Sequence, residues 1–253
     1  MALHFQVQGS GAPVVLMAGL AGLGAFWQPV MEALAPRHQC ITFDHPGVGR
    51  SPASAVHSIG HIAGEVVALL DQLGIDSAHF VGHSTGGLVA QTLALDHTAR
   101  VRGIVLSATW ARPDRRFRDL FAMRRAVLER AGFPAYNVLG RLLGYPPAWY
   151  EAHLAQDAPL DFAKPTEGDL ATTVARIDML LGFDRADELG RIRVPTLIVG
   201  ADDDVIVPFC HAQDLARRIS HARLSELCGG HFLPQTETER YVAVLDDFLR
   251  SQT

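Results

Sequence analysis

Lysine is all but missing from this chain: Lys164 is the only one in 253 residues, so basic charge rests almost wholly on arginine. With 22 basic against 27 acidic residues the formal net charge is −5. That balance provides no general field for nucleic acid or for an anionic membrane surface. Cysteine is equally scarce, and Cys40, Cys210 and Cys228 are odd in number and far apart. Neither a disulfide framework nor a CxxC metal site can be built from them, and they read as buried apolar fillers. No apolar run approaches the roughly 20 residues that span a bilayer. The opening stretch, MALHFQVQGSG, has neither the basic start nor the long apolar segment of a signal peptide. A cytoplasmic location is therefore expected. What the chain does have is apolar side chains, 48% of the total, which is ample for a sizeable core.

Those apolar residues come in short runs that alternate with helical patterns. Leu3–Gln8, Val14–Ala18, Gln39–Phe43, Ala78–Val81, Val101–Ser107, Thr196–Val199 and Arg223–Leu227 read as strands. Val14–Ala18 is apolar throughout and bounded by Pro13 and Gly19, the mark of a strand buried on both faces. Phe26–Leu34, Ile59–Leu73, Gly86–Leu95, Phe209–Ile219 and Thr238–Arg250 have helical periodicity. Such alternation predicts an α/β fold, a mostly parallel sheet with helices on both faces. Between residues 112 and 187 the alternation gives way to a helical, proline-rich stretch. A helical insertion placed after a strand predicts a cap over the carboxyl ends of the strands. The core is then 1–111 and 188–253.

The strongest chemical signal is Gly82-His83-Ser84-Thr85-Gly86, between a predicted strand and a predicted helix. A serine hydroxyl is a poor nucleophile and needs a sharp turn that presents it to a base. Glycines two before and two after Ser84 permit such a turn, and the helix beginning at the serine points its N-terminal amides at developing negative charge. Without partners the same pattern would be only a glycine-rich strand–helix junction. The base is His231, which follows Gly229-Gly230 after the last strand. The orienting acid lies in the triplet Asp202, Asp203 and Asp204, after the strand at Thr196–Val199. An oxyanion would find donors in the backbone amide of Thr85 and in the Gly19–Gly22 loop, at Leu20.

Taken together, in the chain order Ser, Asp, His, these elements resemble the α/β-hydrolase superfamily over nearly the whole chain. Asp44-His45-Pro46-Gly47-Val48-Gly49-Arg50-Ser51 resembles its DxxGxGxS turn. The resemblance implies an acid nine residues after Pro195 and four before Pro208, which selects Asp204 and leaves Asp203 as the reserve. One departure is Ala18-Gly19, where many relatives carry His-Gly; the donor there is a backbone amide, so the hole is expected to survive. A serine rather than an aspartate at the turn disfavours the haloalkane dehalogenase and epoxide hydrolase branches. The core is similar to 3-oxoadipate enol-lactonases, and Leu143–Trp149 with Trp110 resembles the aminoacrylate hydrolases of pyrimidine degradation.

The expected activity is hydrolysis of small esters, lactones or related acyl substrates, without cofactor or metal. The alternatives are enamine C–N hydrolysis and, in another class, a slow-turnover ligand receptor or signalling protein. Arg124 stands alone in an apolar helical stripe with Phe117, Leu120, Phe121 and Leu128. It is read either as a snorkelling side chain or as a clamp for a substrate carboxylate. Trp110 is the expected pocket wall. His57, His61 and Glu65 have the spacing of a metal face, but His57 falls before the predicted helix and no fourth ligand is evident. The partners expected are a small-molecule substrate and, at most, a second copy in a homodimer, with no nucleic acid and no membrane.

Overall fold

The structure, a computed structural model, describes residues 2–154 and 169–252. Residues 155–168 of the expected insertion, including Lys164, lie outside the described residues. Seven strands form one sheet: β1 (Phe5–Gln8), β2 (Ala12–Met17), β3 (His38–Phe43), β4 (Ala78–His83), β5 (Val101–Ser107), β6 (Thr196–Ala201) and β7 (Arg223–Leu227), in the order β1-β3-β2-β4-β5-β6-β7. Only β1 runs antiparallel, beside β3. Chemistry follows position in this order. The central strands β2, β4 and β6 are buried almost end to end, whereas the edge strands β1 and β7 keep polar, exposed side chains.

Period-two alternation sorts the core onto the two faces. Val15, Ile41, Phe80 and Ile104 meet α2 (Ile59–Gln72) and α3 (Thr85–Asp96) through Ile62, Val66, Leu70, Leu88 and Leu93. Val14, Leu16, Val81 and Val105 meet α1 (Gln28–Leu34) and the C-terminal helix Thr238–Arg250 through Val30, Leu34, Tyr241, Leu245 and Phe248. Each large apolar side chain so buried contributes about 1.5–3 kcal/mol. The predicted helix Phe26–Leu34 is in fact a 3₁₀ turn at Gly24–Trp27 running into α1, with Pro29 in the first turn of the α-helix.

Among the described residues between 112 and 187, the regular structure is helical apart from a short 3₁₀ turn just beyond: α4 (Arg115–Gly144), α5 (Pro147–Leu154) and α6 (Leu170–Leu181). Asp114 caps α4 by accepting from the Phe117 amide at 2.7 Å, and Asp169 caps α6 by accepting from Thr172 at 3.2 Å. Gly132, at φ +76°, breaks α4 just before Pro134, whose ring excludes a continuous helical bond there. No helix among the described residues is long and apolar enough to cross a membrane.

The winding order of the parallel strands reverses between β2 and β4, since β3 lies on one side of β2 and β4 on the other. In open α/β sheets that reversal opens a crevice at the carboxyl ends of the strands. The loops after β2 and β4 both line a cavity of about 750 Å³ there, together with residues of α4 and α6.

Candidate active site

Ser84 links β4 to α3 with φ +52° and ψ −116°, a conformation that a serine holds at a cost of about 1–3 kcal/mol. Several backbone bonds hold it there. Its amide donates to Ser107 at 2.8 Å, and its carbonyl accepts from the Gly87 amide at 2.9 Å and the Thr109 hydroxyl at 2.8 Å. A Cβ on Gly82 would lie 2.1 Å from the Gly86 carbonyl oxygen, and one on Gly86 would lie 2.1 Å from that of Met17. The turn is therefore closed to any side chain at those two positions.

His231 sits after β7, buried, with Nδ1 2.8 Å from Asp204 Oδ2. The other oxygen, Asp204 Oδ1, accepts from the amides of Ile206 and Val207 at 2.8 and 2.9 Å. Asp203 does something else: it accepts from the Gly229 amide at 3.0 Å and the Gly230 amide at 2.8 Å. It thereby braces the loop that carries the histidine. Asp204, not Asp203, is the carboxylate in contact with the imidazole. Ser84 and His231 line the same cavity. His83, beside them, stacks on Phe26 with ring centroids 4.9 Å apart. Complete burial, aided by the nearby His231, holds its pKa well below the usual imidazole range, so it stays neutral.

Thr85 opens α3, where an amide has no carbonyl one turn behind it in the helix. Leu20 lies in a turn closed by the Gly22 amide donating to Gly19 at 2.9 Å, and it lines the cavity. A Cβ on Gly19 would sit 3.2 Å from that of Ser84, so this loop runs against the serine. The Asp44–Ser51 segment is a brace beside it. Asp44 accepts from the Gly24 and Arg50 amides at 2.9 and 3.0 Å, and Ser51 donates to the Asp44 carbonyl at 2.6 Å.

Trp110 is not a wall of the cavity. It is wholly buried in the core, its ring 4.4 Å from that of Phe117 under α4, and its carbonyl accepts from Gln91 at 2.9 Å. The tryptophan next to the insertion serves to seat α4 instead. Arg124 is half-buried and lines the cavity. Its guanidinium carbon lies 5.0 Å from the Phe121 ring centroid and 4.8 Å from that of Tyr136, and its Nε is buried without a partner. Arg176, which sequence reasoning passed over, is buried at the same cavity and donates to the Leu20 carbonyl. The signal was present: on α6 it shares the apolar stripe of Ile177 and Leu180.

Placement bears on two further readings. Ser58 caps α2, so His57 precedes the helix and does not share its face with His61 and Glu65. Among the described residues no three His, Cys, Asp or Glu side chains gather as metal ligands. Cys40 is buried, and desolvation pushes its thiol up to about 12, in keeping with a filler. Cys210, by contrast, is exposed and Cys228 is half-buried, because both fall at the margins of the edge strand β7 and its neighbouring helix.

Residues 12–237 match the family model of the α/β-hydrolase fold. Two curated relatives share the provisional name carbamate hydrolase RutD. That of Azorhizobium caulinodans is 37% identical over 90% of this chain and 87% of its own length. That of Variovorax paradoxus is 39% identical over 98% of this chain and 96% of its own. Among solved structures, an enol-lactonase from Burkholderia xenovorans LB400 superposes with a TM-score of 0.87 at 24% identity, covering 98% of this chain and 96% of that one. By family match, by relatives and by fold alike, this chain belongs to the α/β hydrolases and is a hydrolase.

Proposed function

We propose that the protein is a serine hydrolase of small acyl substrates, working through Ser84, His231 and Asp204. The observation that carries this reading is the 2.8 Å contact of His231 Nδ1 with Asp204 Oδ2 beside a cavity that Ser84 also lines. With Nδ1–H donated to the carboxylate, the lone pair on Nε2 is free to take the Ser84 proton. The serine oxygen bonds to the acyl carbon, and the carbonyl oxygen becomes an anion held by the amides of Leu20 and Thr85. The imidazolium gives its proton to the leaving group as the acyl bond breaks. His231 then draws a proton from water, hydroxide adds to the acyl carbon, and Ser84 departs with its proton restored.

The inserted helices act in this reading as a cap that selects the substrate. Arg124 has no carboxylate within ion-pair distance among the described residues, and burial lowers its pKa. A cation left so favours a substrate with a carboxylate away from the reacting carbonyl. Esters and lactones fit the chemistry, and the names of the relatives add carbamates. Cytoplasmic residence accords with it.

The test is labelling by a fluorophosphonate together with turnover on a panel of esters, lactones and carbamates. Wild type is expected to be labelled and active, and Ser84→Ala to be neither. Turnover of these substrates retained in Ser84→Ala would refute the acyl-enzyme.

A further inference from the structure

Arg176 is an arginine from the inserted helix α6 that lies buried against the core, 3% exposed. Its Nε and Nη2 both donate to the Leu20 carbonyl, at 2.9 and 2.7 Å. Nη2 also lies 3.0 Å from His45 Nδ1, which must therefore accept. No carboxylate among the described residues pairs with it, and burial brings its pKa down to about 10, so it remains a cation at neutral pH. Its charge is met by one carbonyl and one imidazole lone pair, an unusual outlay for a purely structural contact.

The contact closes a ring of bonds. The His45 amide donates to the Gly22 carbonyl at 2.8 Å, and the Gly22 amide closes the turn on Gly19 at 2.9 Å. Gly22 itself has φ +72°, and a Cβ there would stand 2.7 Å from Arg176 Nη2 and 3.0 Å from His45 Cβ. The loop has thus given up a side chain at the point where the guanidinium enters. Holding the Leu20 carbonyl fixes ψ of Leu20, and the turn bond fixes its other flank. The direction of the Leu20 N–H follows from both.

We propose that Arg176 is a positioning residue: from α6 its guanidinium sets the Leu20 peptide at the angle that the oxyanion needs. This rests on the serine hydrolase reading above. Removal of one oxyanion donor costs about 10²–10³ in kcat. A donor that is misaligned rather than lost should cost about 10–100-fold by the same comparison.

The experiment compares Arg176→Met, Arg176→Lys and Ile177→Ala on p-nitrophenyl acetate and on a monoester of a dicarboxylic acid. Ile177 is wholly buried on the same helix and does not contact Leu20 through any hydrogen bond, so its truncation reports loosened packing alone. Arg176→Met should lower kcat on both esters with KM held within twofold, and slow fluorophosphonate labelling in proportion. Arg176→Lys, which keeps the charge but not the fork, should recover part of the loss. Ile177→Ala should lower Tm while keeping kcat. An unchanged kcat in Arg176→Met overturns the proposal, as does an equal loss in Ile177→Ala. A loss confined to KM for the acidic ester also overturns it and assigns Arg176 to substrate binding. Ser84→Ala run beside them separates the two levels: turnover surviving there sinks the serine mechanism itself, whereas Ser84-dependent turnover with unaltered kcat in Arg176→Met sinks only the positioning role.

Discussion

Asp203 and Asp204 differ by one position, and the turn after β6 sends their carboxylates to different partners, one to backbone amides and the other to an imidazole. Asp204→Asn is expected to lower kcat by about 10³–10⁴-fold by presenting the wrong tautomer, with little change in Tm. Asp203→Ala should instead cost about 1–3 kcal/mol in urea unfolding, because two buried-loop amides lose their acceptor. A large kcat loss in Asp203→Ala with Tm intact would reverse these roles. No periodicity separates adjacent acids in a loop, so the choice between them came from family spacing between Pro195 and Pro208 rather than from the residues. Arg124→Met should raise KM for acidic esters by about 10-fold or more while leaving neutral esters alone, as expected for loss of a charged hydrogen bond. The same variant should unfold no more readily than wild type, since a desolvated cation held only against the Phe121 and Tyr136 rings, with no carboxylate, is a burden to the empty protein. Why Arg124 was noticed and Arg176 was not is a matter of neighbours. Both interrupt an apolar stripe, but the stripe of α4 is aromatic and conspicuous, whereas the bond that gives Arg176 its meaning is to a residue 156 positions away.

The strand–turn–helix element at Ser84 is the part of the site most legible in sequence, because its glycines, its apolar strand and its helix are contiguous. Gly86→Ala tests it: a methyl 2.1 Å from a backbone oxygen has no flexible side chain to displace. The variant is expected to lose about 3 kcal/mol or more and to label poorly with fluorophosphonate even when folded, judged by urea midpoint and labelling rate on the soluble fraction. A midpoint unchanged from wild type would contradict the tight turn. The central strands were readable for a related reason, that burial on both faces leaves unbroken apolar runs. Strands β4 and β6 run beyond their predicted ends, β2 starts at Ala12 and stops at Met17 rather than running Val14–Ala18, and β1 starts at Phe5 rather than Leu3. The helices of the insertion were readable as helical but not as individual elements, since Gly132 and Pro134 break α4 without ending it. Trp110 was misplaced because burial in a core and burial in a pocket wall look alike in one dimension.

For the molecule as a whole, His45, His79 and His83 are kept neutral by burial, with His79 brought down to about 4 and the other two well below 6.5. Folded pKa values below the unfolded value mean that the unfolded chain binds the extra protons. Their penalty is thus absent above about pH 6.5 and grows as pH falls, at about 1.4 kcal/mol per pH unit for each group until its folded pKa is reached. The urea midpoint is expected to drop between pH 7 and pH 5, and His83→Asn to flatten that slope by close to one proton; a slope indifferent to His83→Asn would refute its neutrality. The insertion also touches the core at the loop that carries His231. The Phe232 amide donates to the Gly144 carbonyl at 3.2 Å, and a Cβ on Gly144 would fall 2.2 Å from the Phe232 ring, one residue past His231. A chimera that borrows this segment from another hydrolase to widen its substrate range therefore inherits a fitting problem. The donor segment must bring a residue as small as glycine to the seam, or the graft will shift the imidazole before any new ligand arrives.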